Sequence, residues 1–136
     1  MTGGKNILKL TKKKNLILKK KISLNDVRKF SKLVGDKHKL HFDKKFSIEK
    51  GFKNIVVQGL FISSLCSSFV FKIFGNNMII IDQKFNYRKP VYIEEILNIT
   101  GYLQLLDKRF EIYEIKFIIK VGKILTSQGK IIVKLI

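Results

Sequence analysis

The stretch Gly59-Leu60-Phe61-Ile62-Ser63-Ser64-Leu65-Cys66-Ser67-Ser68-Phe69-Val70-Phe71-Lys72-Ile73-Phe74 decides the fold. Its apolar residues fall on nearly every side of a helix. A helix of that pattern belongs inside a fold rather than on its surface. A pair of buried strands is the rival reading, but the uninterrupted length favours a helix. The run is shorter than a bilayer span and contains four serines and a Lys, which argues against a membrane helix.

The rest of the chain reads outward from this helix. Downstream, Gly75-Asn76-Asn77 is a turn and residues 78–88 are a strand, which Pro90 punctuates. Residues 93–106 read as a second strand. Glu94 and Glu95 near its start read as a solvated turn, and Gly101 marks a bulge or a close approach. Asp107-Lys108-Arg109 turns the chain into a third strand over 110–121, with partial alternation of apolar residues from Phe110. Gly122-Lys123 is a tight turn, and 124–136 is the last strand.

Upstream, residues 5–22 read as one or two strands, with Ile7, Leu8, Leu10, Leu16, Ile17 and Leu18 among lysines. Ser23 is a natural N-cap, and Asp26 lies in the first turn, where its charge suits the helix dipole. Val27, Phe30, Leu33 and Val34 recur at helical spacing, so 24–34 is an amphipathic helix that Gly35 ends. A loop follows over 35–43. Phe46, Ile48 and Glu49 then suggest a short helical turn closed by Gly51. The order predicts an α+β fold in which an antiparallel sheet wraps around a long central helix.

The chain has 136 residues, enough for one domain with a core, and is 46% hydrophobic, too apolar for disorder. Cys66 is the only cysteine, which excludes a disulfide framework and a cysteine zinc site. It reads as a buried, reduced small hydrophobe. The formal net charge is +18, yet only three of the 28 basic residues are Arg (Arg28, Arg88 and Arg109). Nucleic-acid interfaces lean on the Arg fork. The excess of Lys beside Ile and Asn matches AT-rich codon use, so nucleic acid is not expected as the partner. A basic surface still attracts anionic partners, including coenzyme A phosphates and acidic carrier proteins. No secretory signal pattern is evident at the N-terminus, and a cytoplasmic location with no membrane association is expected.

The chemistry concentrates in Val34-Gly35-Asp36-Lys37-His38-Lys39-Leu40-His41-Phe42-Asp43. Asp36 and His41, with four residues between them, are an acid and an imidazole that can share one water. Gly59 opens the central helix, where a backbone N–H can meet an oxyanion. This combination suggests addition of water to a thioester, or its removal. His38, His41 and Asp43 could suggest a metal, but Lys37, Lys39, Lys44 and Lys45 surround them and oppose a cation. No phosphate loop, nicotinamide fingerprint or serine-nucleophile elbow is present, and no cofactor is expected. The serines at 63, 64, 67 and 68 read mainly as small residues for packing helix on sheet, with hydroxyls bonded to the preceding turn.

The segments Phe30-Ser31-Lys32-Leu33-Val34-Gly35-Asp36, Leu40-His41-Phe42-Asp43, Gly51-Phe52 and Ile55-Val56-Val57-Gln58-Gly59-Leu60 resemble the MaoC-like, (R)-specific enoyl-CoA hydratase family of hot-dog proteins. Phe85-Asn86-Tyr87-Arg88-Lys89-Pro90-Val91-Tyr92 and the closing Gly122-Lys123 and Ser127-Gln128-Gly129-Lys130 extend the resemblance over nearly all of the chain from about residue 20. It implies a single hot-dog domain over 1–136. It further implies (R)-specific hydration of trans-2-enoyl thioesters, or dehydration of (3R)-hydroxyacyl thioesters, carried on coenzyme A or acyl carrier protein.

By the same resemblance Asp36 and His41 are the catalytic pair and the Gly59 N–H binds the thioester oxygen. Ser67 supports the catalytic Asp. The family normally works as a homodimer joined edge to edge. The chain departs from the family pattern in having His38 for Asn, Lys39 for Pro, Gln58 for His, and Ile93-Glu94-Glu95 where a Gly-Asp pair is usual. None of these replaces the acid, the base or the Gly. Altered substrate preference is therefore expected, with His38 and Gln58 as supporting residues. Phe61, Phe69 and Phe71 are candidates for the depth of the acyl tunnel. A hot-dog thioesterase would need a carboxylate on the central helix, and 59–74 contains none. A non-catalytic basic protein binding acyl carriers or nucleic acid is the alternative from another class.

Overall fold

A computed structural model describes residues 16–136. The part of the expected N-terminal strands before Leu16, with Ile7, Leu8 and Leu10, lies outside the described residues. The elements run β1 (Leu16–Lys21), α1 (Leu24–Val34), a 3-10 turn (Lys39–His41), α2 (Lys44–Glu49), α3 (Gly59–Phe74), β2 (Met78–Tyr87), β3 (Ile96–Asp107), β4 (Ile112–Val121) and β5 (Ile124–Leu135). The strands form one antiparallel sheet in the order β1-β3-β4-β5-β2, with α3 against its inner face. This is the expected α+β hot-dog arrangement.

α1 forms where the capping residues place it. Ser23 and Asp26 make a reciprocal capping box: the Ser23 hydroxyl accepts from Asp26 N–H at 3.1 Å, and Asp26 accepts from Ser23 N–H at 3.0 Å. These bonds hold the Asp26 carboxyl below its usual range. Gly35 ends the helix in the left-handed region (φ 77°), with its N–H on Ser31 O at 2.8 Å.

α3 spans the expected residues, but the sheet covers only one side of it. Ile62, Cys66, Phe69, Val70 and Ile73 are buried at spacings of three and four. Leu60, Ser64, Ser67, Ser68 and Phe71 form an outward stripe that is exposed in the single chain. The apolar pattern therefore over-predicted burial, because one sheet can cover only one face of a helix. Of the four serines only Ser63 is buried. Ser63 and Ser64 bond back to Leu60 O and Phe61 O, and Ser64, Ser67 and Ser68 do not pack on the sheet.

Gly101 sets the spacing between α3 and the sheet, and Gly129 makes room for Phe85 within the sheet. Leu16, Gly101, Phe117, Gly129 and Phe85 lie in register across all five strands. A Cβ at Gly101 would stand 2.5 Å from the Phe69 ring, so Gly101 is a close-approach site rather than a bulge. Phe69 then meets Phe117 edge-on at 5.2 Å. A Cβ at Gly129 would collide with the Phe85 ring, which stacks toward Phe117 at 6.2 Å.

Two strand starts differ from the sequence reading. β3 begins at Ile96 instead of residue 93, because Glu94 takes φ 68° and the Glu95 carboxylate accepts Tyr92 N–H at 2.7 Å, closing a turn. β4 begins at Ile112 instead of residue 110, because Glu111 takes φ 52° and Phe110 N–H is held by Asp107. Side chains closing turns displaced the apolar alternation in both places.

Gly101→Ala is expected to lower stability by about 1–3 kcal/mol through overpacking against Phe69, read as a lower urea midpoint. An unchanged midpoint would mean that Phe69 is not seated in the glycine gap. Burial pushes the Cys66 thiol up to about 12. Its contribution to stability is complete below the ordinary thiol range and is lost as the pH rises through that range toward 12. Cys66 should resist alkylation in the native protein and react once urea unfolds it.

Candidate active site

Asp36 follows directly from the left-handed cap at Gly35, which turns the chain sharply out of α1. Its Oδ1 accepts from His38 N–H at 3.1 Å, a local turn that fixes the carboxylate. His38 in turn caps the 3-10 turn, its Nδ1 accepting from Leu40 N–H at 3.1 Å. His38 is exposed, and its ring centre is 5.7 Å from that of His41. It thus shapes the loop that presents the two catalytic candidates.

His41 is held by backbone. Its Nδ1 lies 2.7 Å from Val56 O, and since a carbonyl only accepts, Nδ1 carries the proton. Its Nε2 lies 3.5 Å from Asp36 Oδ2. Val56 also donates its own N–H to Leu40 O at 2.9 Å, so one residue clamps the histidine loop from both sides. The His41 side chain is 13% exposed and that of Asp36 39%, so the pair stands at the edge of solvent with the imidazole on the sheltered side. In neutral His41 the free Nε2 lone pair faces a carboxylate oxygen. Two acceptors in that relation can take both hydrogens of one water, or share one proton.

The same segment leads to Gly59. Val57 N–H donates to Val91 O, and Ile93 N–H donates to Ile55 O, pairing residues 55–57 with 91–93 ahead of α3. Gln58 occupies the N-cap position of α3 but does not cap it with its side chain. It is 2% exposed and reaches across to α1, donating from Nε2 to Ser31 Oγ at 2.7 Å and to Val27 O at 3.2 Å. Its Oε1 is buried without a partner among the described residues. Gln58 therefore ties the start of α3 to α1 at Val27 and Ser31, and so links the segment bearing Gly59 to the helix whose end sets Asp36.

Gly59 is the first residue of α3, where helical N–H groups have no partner within the helix and the dipole favours negative charge. A Cβ there would stand 2.9 Å from the Tyr87 ring. The site thus needs the small residue for two reasons: an accessible N–H and room for Tyr87.

His41 and Gly59 line one open cavity of about 360 Å³ with Phe52, Ile62, Tyr87 and Arg88. The structure brings these two expected residues together there, with Asp36 beside His41. Ser67 is exposed on the outward stripe of α3 and makes no hydrogen bond to Asp36 among the described residues. The expected tunnel phenylalanines are elsewhere. Phe69 fills the Gly101 gap, Phe61 stacks on Phe30 at 4.8 Å, and Phe71 is exposed. Helical periodicity does not say which face turns toward a cavity built by other segments.

Sequence reasoning passed over Tyr87, Arg88 and Lys89 as wall residues of this cavity. The signal available was Pro90, which stands just beyond the end of β2 at Tyr87 and marks where the chain leaves the ladder. Arg88 and Lys89 both donate backbone N–H to Thr126 O, which fixes the turn.

Residues 8–121 match the family described as MaoC like domain. The 3-hydroxybutyryl-CoA dehydratase of Methylorubrum extorquens is 32% identical over 84 residues, covering 61% of this chain and 54% of the relative. The mitochondrial 3-hydroxyacyl-[acyl-carrier-protein] dehydratase of Arabidopsis thaliana is 29% identical over 102 residues, covering 74% of this chain and 60% of the relative. The chain thus spans little more than half the length of these curated relatives. Among solved structures, the (R)-hydratase from A. caviae involved in PHA biosynthesis superposes with a TM-score of 0.84 at 24% identity, covering 90% of this chain and 94% of that one. Protein af1124 from Archaeoglobus fulgidus gives 0.81 at 26% identity, covering 90% and 76%.

The hydrogen bonds assign opposite neutral tautomers to the two histidines: Nδ1–H in His41, and Nε2–H in His38, whose Nδ1 accepts. Long-range ¹⁵N–¹H correlation spectra of the neutral imidazoles should show this split. Finding Nε2–H at His41 would remove the Val56 clamp from the account of the site.

Proposed function

The chain belongs to the MaoC-like domain family, and on that premise we propose that it adds water to trans-2-enoyl thioesters and removes it from (3R)-hydroxyacyl thioesters. The observation that carries this reading is the shared cavity of His41 and Gly59, with Asp36 Oδ2 3.5 Å from His41 Nε2. The names of the two curated relatives, both dehydratases of 3-hydroxyacyl thioesters, support it.

The chemistry follows from the positions. Water held by Asp36 and His41 gives up a proton to the pair as its oxygen bonds to C3 of the enoyl group. The electron pair of the C2–C3 double bond moves toward the thioester oxygen. The Gly59 N–H, at the positive end of α3, stabilises the charge gathering there. The proton then passes from the pair to C2, restoring the carbonyl and leaving the catalytic groups as they began. Which of the two residues holds the proton at each stage belongs to the pair as a unit. Dehydration is the same path in reverse. Ser67 enters this scheme only as a supporting residue reached through the family resemblance.

The functional unit in this reading is a homodimer. Among the described residues β2 is an edge strand, and an unpaired edge is a template for another strand. Ile79 and Ile81 on β2, together with Leu60 and Phe71 on α3, are exposed large apolar residues. A second copy joined along β2 would cover them. The thioester carrier is coenzyme A or acyl carrier protein, and the reaction runs in a soluble compartment such as the cytoplasm. Among the described residues no helix is long and apolar enough to cross a membrane.

The test follows the loss of enoyl-thioester absorbance with crotonyl-CoA and with crotonyl-acyl carrier protein. Asp36→Asn and His41→Ala should each lower kcat by roughly 10²–10⁴-fold, the range for removing a positioned general acid–base group. A wild-type protein inactive on both carriers, or variants that keep full activity, would sink the proposal.

A further inference from the structure

On the face of the sheet turned away from α3, Lys84, Lys130 and Lys116 stand directly opposite one another on β2, β5 and β4. Tyr102 on β3 continues the row next to Lys116. Neighbouring strands are about 4.8 Å apart, so the three lysines start within roughly 10 Å of one another. Like charges placed directly opposite in a sheet are destabilising. One buried carboxylate relieves two of them: Glu114, 8% exposed, lies 3.7 Å from both Lys116 Nζ and Lys130 Nζ. Asp82, opposite Ile132 in the next row, makes no ion pair among the described residues. The lysines border a shallow depression of about 320 Å³ with Asn86 and Gln128.

Lysine on an edge strand often serves to block unwanted pairing. That role does not explain the row, because β4 and β5 are central strands and β2 is itself the strand that pairs in the homodimer proposed above. The row is also connected to the catalytic cavity. Lys84 and Asn86 border the depression, while Tyr87, Arg88 and Lys89, at the end of the same strand, line the cavity of His41 and Gly59. At 3.3 Å per residue Lys84 and Arg88 are about 13 Å apart. A basic track thus runs from the middle of the outer face, around the end of β2, to the catalytic cavity.

We propose that the row of Lys84, Lys130 and Lys116 docks the acidic surface of a carrier protein, so that the substrate of this site is a thioester attached to such a protein. The proposal rests on the hydratase reading above and selects between its two carriers. Coenzyme A phosphates would find Arg88 and Lys89 beside the cavity and leave the lysine row without a ligand. Nucleic acid is disfavoured because the row offers one aromatic, Tyr102, where single strands need successive stacking platforms. Compact lysine charges spread over a broad face suit a carboxylate-bearing protein surface, and a chain of net charge +18 attracts one from a distance.

The test compares wild type with the triple variant Lys84→Gln/Lys116→Gln/Lys130→Gln, and with Lys84→Gln alone in case the triple variant unfolds. Two quantities are read: binding of holo-acyl carrier protein by calorimetry at low and high salt, and kcat/KM on crotonyl-acyl carrier protein and crotonyl-CoA. Charges at the rim of an interface act mainly on association. Turnover of the carrier-protein substrate should therefore fall by about 10-fold or more in the triple variant, through KM, while crotonyl-CoA turnover stays within about twofold. Binding of holo-carrier protein should weaken in parallel, and in wild type it should weaken with salt. No binding by wild type, unchanged binding in the variants, or equal losses on both substrates would overturn the docking proposal. Salt-sensitive carrier binding by a wild type that turns over neither substrate would count against the hydratase reading and leave the docking surface standing.

Discussion

Phe69 sits in the gap that Gly101 leaves on β3, with its ring edge-on to Phe117. The rest of the structure depends on that contact. A helix packed on a sheet is kept at a distance by the side chains between them, and a glycine in the contact row lets it come closer. With its middle seated there, α3 carries its first residue to the end of the sheet, where β2 gives way to Arg88, Lys89 and Pro90. The opening at that end is the cavity that holds Gly59 and His41. The alternation of Phe85, Gly129, Phe117 and Gly101 along one row is thus a packing device with a functional consequence.

The site itself is organised by main chain more than by side chains. Val56 O accepts a hydrogen bond from His41 Nδ1–H and Val56 N–H donates to Leu40 O, while its neighbour Val57 is paired with Val91. The imidazole is held to the segment that, three residues later, becomes α3. Asp36 is placed from the other direction, by the left-handed end of α1. Gln58 connects the two, buried between α1 and α3 with its amide on Ser31 and Val27. A buried amide with one unpaired oxygen costs stability. Its retention here is consistent with a link that holds the two halves of the site in register.

Charge shows how composition and placement differ as information. An excess of Lys over Arg has a bland explanation in codon use, and that explanation applies equally to every surface. It says nothing about why three lysines face one another across β2, β5 and β4, or why the carboxylate between two of them is buried. The pairing register alone exposes that arrangement, because residues 84, 116 and 130 are far apart in sequence.

The sequence by itself determined the elements and the chemistry at stake. Capping residues fixed α1 to the residue, and the length and apolarity of 59–74 fixed α3, because these are local properties of the chain. The spacing of Asp36, His41 and Gly59 already suggested water chemistry on a thioester, since residue type and short-range order carry that suggestion. The starts of β3 and β4 were misjudged where Glu95 and Asp107 closed turns, a competition between side chain and ladder that apolar periodicity does not register. Only the tertiary structure decided which face of α3 the sheet covers, that Phe69 packs the core instead of lining the cavity, that Arg88 and Lys89 form its wall, and that Val56 sets the His41 tautomer. Each of these is a contact between segments distant in sequence, and such contacts are created by packing and strand register, which no local pattern contains.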